Sequence, residues 1–89
     1  MKISMEFKQV DMNLYKSCNM KLRQVNEWLE PRGYQYDIEY DKVRDEYTLR
    51  GKDKLGRILF IRTFIYCDRL LNYLCGMCNA IELQSMEVK

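Results

Sequence analysis

The sequence predicts an α+β domain, a three-stranded antiparallel meander packed against two helices in the order α-β-β-β-α. Three observations carry this reading. An amphipathic stripe runs from Leu14 to Leu29, three strand-like segments follow with short polar turns between them, and a second stripe runs from Cys67 to Ile81. Short connections between successive strands favour antiparallel pairing.

In the first stripe Leu14, Cys18, Leu22, Val25 and Leu29 recur at helical spacing, with Trp28 on its flank, so a helix is expected over residues 11–30. Asp11 is its expected N-cap, and Pro31 and Gly33 are its stop. Tyr34, Tyr36, Ile38 and Tyr40 alternate with polar residues, the pattern of a half-buried strand. The polar run Asp41 to Glu46 turns the chain into a second strand near Tyr47–Arg50, and GKDKLG, with a glycine at each end, makes the next turn. The segment Arg57–Ile65 is rich in Ile, Phe and Thr, which suit a third strand. It feeds the last helix, whose stripe is Cys67, Leu70, Leu71, Leu74, Met77, Cys78 and Ile81. An extra N-terminal strand fits residues 2–8, where Ile3, Met5 and Phe7 alternate with polar residues. Ile3, Phe7, Val10 and Leu14 also share a helical face, so both forms stay open there.

At 89 residues the chain is expected to form one domain, 1–89, with 47% hydrophobic and 31% charged residues, a balance that excludes a disordered tail. Fifteen Lys and Arg against 13 Asp and Glu leave a net charge of +2, too mild to imply nucleic acid alone. The apolar run Ile58 to Ile65 contains Arg62 and falls short of the ~20 residues of a membrane span. The N-terminus has no continuous hydrophobic block, so a cytoplasmic protein with reduced thiols and no membrane partner is expected.

The order of elements resembles the double-stranded-RNA-binding domain, and the likeness is one of topology. That family places a lysine cluster at the start of its last helix, where this chain has Cys67, Asp68 and Arg69. Its histidine-bearing loop has no counterpart in a chain without histidine. Shared architecture is the implication, and architecture does not fix function.

Candidate sites follow from residue type. Cys75-Gly-Met-Cys78 is a C-x-x-C, found in redox dithiols and half zinc sites. It lies inside a predicted helix with Cys78 on the core stripe, and a closed zinc site needs four ligands, for which only Cys18 and Cys67 remain. Buried thiols without metal or cofactor are the expectation, with a zinc or redox dithiol as an alternative. Gly76 between them suggests close approach of another backbone. Asp37 and Glu39 share a strand face but have no histidine, glycine loop or activated nucleophile beside them, so no catalytic residue is assigned. Arg50, Lys52, Lys54 and Arg57 crowd the second hairpin and form the candidate nucleic-acid surface.

The third strand is apolar on both faces. Leu59, Ile61, Thr63 and Ile65 fall on one side and Ile58, Phe60, Arg62 and Phe64 on the other. Arg62 marks the second set as outward. Unless the N-terminal segment covers them, Phe60, Arg62 and Phe64 form an exposed patch for a partner. The functional expectation is a non-enzymatic protein that binds another protein, or a second copy of itself as a homodimer. This is the manner of small phage and mobile-element inhibitors or regulators such as anti-CRISPR proteins. A nucleic-acid-binding module using the basic hairpin is the alternative.

Overall fold

The computed structural model describes residues 7–87. Two helices and one antiparallel sheet occur in the predicted order. A 3-10 turn, Gln9–Asp11, leads into α1 (Met12–Leu29). Strands β1 (Tyr34–Asp41), β2 (Glu46–Asp53) and β3 (Ile58–Phe64) follow, and α2 spans Cys67–Glu87. The strand expected at residues 2–8 lies outside the described residues except for Phe7 and Lys8, which have no regular secondary structure.

Cys18, Leu22, Val25 and Asn26 are the buried residues of α1, spaced so that they share one side. The start of α1 corrects the expected cap, because the Asp11 side chain makes no capping hydrogen bond. Its carboxylate accepts the hydroxyl of buried Tyr47 at 2.7 Å, and that oxygen accepts the Lys8 N–H at 3.1 Å. A buried hydroxyl left without a partner costs as much as or more than a cap contributes, so the phenol takes the carboxylate. The stop is as predicted: a 3-10 turn, Glu30–Arg32, then Gly33 at φ 89°, where a Cβ would be strained.

The register pairs Ile38 with Leu49 and Tyr40 with Tyr47, then Tyr47 with Phe64 and Gly51 with Phe60. These side chains meet Cys18, Leu22, Cys67, Leu70 and Leu74 from the helices, and this is the core. Gly51 was expected in a turn but lies buried inside β2. A Cβ there would run into the Tyr36 ring. Its bareness lets Tyr36 and Phe60, one strand to either side, stack at 5.6 Å across it. The turn itself uses Gly56 at φ 79°, with the Gly56 N–H donating to the Asp53 carbonyl and the Asp53 N–H to the Arg57 carbonyl. This is a common hairpin closure.

The largest correction concerns β3, whose faces are the reverse of those expected. Phe64 is in the core at 8% exposure, and Phe60 stacks between Tyr36 and Tyr73 of α2. Phe60, Arg62 and Phe64 therefore point toward the helices and are not an exposed patch. Cover comes from α2 and β1. Arg62 misleads because β3 is an edge strand. Its guanidinium lies over the rings of Tyr73 and Phe64, at 5.0 and 5.8 Å, and still reaches water. A long cation at a rim does not mark the outer face.

In α2 Cys67, Leu70, Leu74 and Cys78 are buried, as the stripe requires. The expectation for Gly76 fails within this chain: nothing lies within 4 Å of the Cβ it lacks, and no described contact explains it. Among the described residues no helix is long and apolar enough to cross a membrane.

Candidate functional site

With strand order β1-β2-β3, the sheet has two outer edges. A strand at an edge presents unpaired N–H and C=O groups that invite another strand. At β1 that invitation is withdrawn at one residue, Tyr36. Asn26, 1% exposed on α1, accepts the Tyr36 N–H through Oδ1 at 2.7 Å and donates through Nδ2 to the Tyr36 carbonyl at 3.0 Å. The side-chain amide thus takes both hydrogen bonds a neighbouring strand would make with Tyr36. Asp37 and Glu39 add charge along the same strand.

At β3 nothing comparable occurs. Among the described residues, no side chain hydrogen-bonds the main chain of Ile58–Phe64, and no backbone outside β2 does so. Ile58, Leu59 and Ile61 are 49%, 59% and 58% exposed, and beyond the strand end Ile65 and Tyr66 are 69% and 61% exposed. Ile61 and Thr63 lie opposite Arg50 and Thr48 on the outer face. Leu59 is the extra residue at a register shift beside Gly51 and Lys52. The strand's outer end opens into a groove of about 650 Å³ between β3 and the first turns of α2, lined by Arg62, Ile65, Tyr66, Arg69, Asn72 and Tyr73 among others.

The basic hairpin is arranged differently from the phosphate-binding surface expected. Arg50 reaches Asp37 at 3.2 Å and Glu39 at 2.9 Å, and Lys52 reaches Asp37 at 2.9 Å. Arg57 is held by Asp53 at 2.6 Å. Of the four residues, Lys54 alone has no carboxylate partner among the described residues. Asp37 and Glu39, the acids that share a strand face, are the ones that neutralise Arg50 and Lys52. Charge committed to a neighbouring carboxylate is poorly placed to neutralise phosphate.

The thiols are divided between core and rim. Cys18, Cys67 and Cys78 are buried, Cys75 is half-buried, and all four are free. Burial pushes the Cys18 thiol up to about 12, with the Cys67 thiol beside it adding to the effect. Burial likewise raises Cys67 and Cys78. Thiols held protonated are weak nucleophiles. Cys78 donates weakly to the Lys21 carbonyl at 3.5 Å, a contact between the two helices. Among the described residues no three His, Cys, Asp or Glu side chains converge as metal ligands would.

The site therefore lies beside the expected one. Arg62 belongs to both, whereas Ile61, Ile65, Tyr66 and Arg69 were not singled out as partner-binding residues. Comparison with models of protein families, with curated proteins and with solved structures finds no match. A signal for the site was nonetheless present in the apolarity of both faces of β3. The face expected to be outward was the covered one.

Proposed function

We propose that the protein is a non-enzymatic binding protein that takes an extended segment of a partner protein as a fourth strand along β3, and so inhibits or regulates that partner. The observation that carries this reading is the row of exposed large apolar residues on an edge that no described residue pairs with. Soluble proteins usually blunt such an edge with charge, proline or a covering element. Strand addition uses the free main-chain groups for affinity and the alternating side chains for specificity. The nucleic-acid alternative is disfavoured by the ion pairs at Arg50, Lys52 and Arg57.

A photo-crosslinking amino acid placed at Ile61, with Glu39 on the opposite edge strand as control, tests the reading in the native cell. The expected product is a protein adduct from position 61, absent from position 39, unaffected by nuclease and lost on competition with an excess of unlabelled wild type. Equal adducts from both positions, or adducts that disappear with nuclease, would overturn it.

A further inference from the structure

We infer that the groove at the end of β3 is a carboxylate seat, so that the segment added to β3 carries an acidic residue, or its own C-terminal carboxylate, that lodges between Arg62 and Arg69. This rests on the strand-addition reading and specifies the chemistry of its partner. Both arginines line the same groove. Neither meets a carboxylate within salt-bridge distance among the described residues, whereas Arg50 in β2 and Arg57 just before β3 both do. No residue lining the groove is acidic. The next acid in sequence, Asp68, is outside it and accepts the Arg69 backbone N–H at 3.0 Å. Arg62 is already oriented, because its guanidinium rests on the Tyr73 and Phe64 rings. Its planar donors therefore lose little freedom on meeting an anion. Tyr66, Ile65 and Asn72 complete a wall in which aromatic, aliphatic and amide groups surround the cations. Aromatic residues and arginine are the side chains that dominate binding energy at interfaces.

Charge also decides between occupants. If a second copy supplied the fourth strand, antiparallel pairing about Ile61 would set Arg62 opposite Phe60 of the copy. The two Arg62 side chains would then be diagonal neighbours on one side of the sheet, about 7–8 Å apart, with no carboxylate in either groove. An acidic segment avoids that repulsion and supplies the anion that Arg62 and Arg69 face. The seat is at the end of the strand, so it also sets the register of the added segment, which apolar alternation alone leaves free to slip by two residues.

Selection of random extended peptides displayed against the full chain, followed by affinity measurement on the leading peptide, tests the inference. The expected peptides combine alternating apolar residues with one Asp or Glu, or end in a free carboxylate, and their binding is abolished by Ile61→Lys. Changing that acid to its amide should weaken binding roughly tenfold, the scale of a charged hydrogen bond in a partly dry site. Arg69→Gln, which removes no side-chain ion pair or ring contact seen among the described residues, should cause the same loss for the acidic peptide and none for the amide peptide. Arg62→Gln with Arg69→Gln should go further, with circular dichroism checking that the variant is folded. Peptides that depend on Ile61 but ignore the acid and both arginines would overturn the seat and leave strand addition standing. A selection with no peptide sensitive to Ile61→Lys would overturn strand addition itself. A concentration-dependent dimer in sedimentation, abolished by Ile61→Lys, would identify a second copy as the occupant and overturn the acidic partner.

Discussion

The two edges of this sheet solve the same problem in opposite ways. At β1 a buried amide from α1 occupies the main chain of Tyr36, and acids line the strand. At β3 no described residue outside β2 pairs with the main chain, and isoleucines and leucine stand exposed along it. Folding alone does not account for this asymmetry, since the core is complete without Ile58, Ile61 or Ile65. An amide clamp and acids on one edge, set against an apolar row on the other, is the asymmetry that the proposed strand addition at β3 requires.

The largest effect is expected where the closed edge is opened. Asn26→Leu keeps the branched skeleton of the side chain and removes both hydrogen bonds to Tyr36, leaving an N–H and a C=O unpaired beside the core. The loss should be about 3 kcal/mol, from two partly buried groups deprived of partners. Urea denaturation measures it, and a loss below about 1 kcal/mol would mean that water replaces the amide and the edge is not closed by Asn26.

A second change tests how the two edges communicate through β2. Gly51→Ala places a methyl where the Tyr36 ring lies and near Phe60, breaking the stack that joins β1 to β3 across β2. Overpacking of this kind costs about 1–3 kcal/mol, and the near-ultraviolet dichroism of the tyrosines should change with it. An unchanged spectrum and melting curve would show that the rings have another place to go.

The third concerns the thiol of Cys18, on the helix that closes β1, beside Cys67 at the start of the helix that follows β3. Burial raises the folded thiol from its ordinary value of 9.0 to about 12. The unfolded chain therefore releases this proton first, and stability is full below pH 9 and falls as the pH rises toward about 12. Cys67, Cys78 and the buried Tyr47 phenol, all raised chiefly by burial, act in the same direction. Cys18→Ala should flatten the early part of that decline in urea titrations at a series of pH values. A slope equal to that of wild type would place the effect on the other groups.

Much of the fold was legible because it rests on local periodicity. The stripe through Leu22 and Val25, the alternation from Tyr36 to Tyr40, and the stop at Pro31 and Gly33 each declare an element without knowledge of the rest. The facing of β3 was not legible, because both of its sides are apolar and its one cation sits at a rim. Only the register with β2, which puts Phe64 beside Tyr47 and Phe60 beside Gly51, decides which side is covered. The role of Gly51 was hidden for the same reason: a glycine that vacates space for rings two strands apart looks in sequence like a turn. Asn26 looked like one more polar residue on a helix, since its partner is a main-chain group ten positions away. The basic hairpin misled by proximity in sequence, because its neutralising acids at Asp37 and Glu39 come from the strand across the sheet.

The smallest expected effect on stability carries the comparison furthest. Ile61→Lys replaces a side chain that is 58% exposed and lies outside the core cluster. Surface changes of this kind usually alter stability by no more than about 0.5 kcal/mol. A lysine there also protects the edge as natural edge strands are protected, so the variant should be as stable as wild type and at least as soluble. Thermal melts and urea titration measure the first, and sedimentation measures the second. Near-zero cost at Ile61, set against about 3 kcal/mol for Asn26→Leu, would mean that the apolar row on β3 contributes nothing to folding and is retained for what it meets. A loss of 2 kcal/mol or more would be of the size seen when a buried aliphatic side chain is removed. In that case Ile61 would be part of the fold, and the two edges would differ only in which side chains cover them.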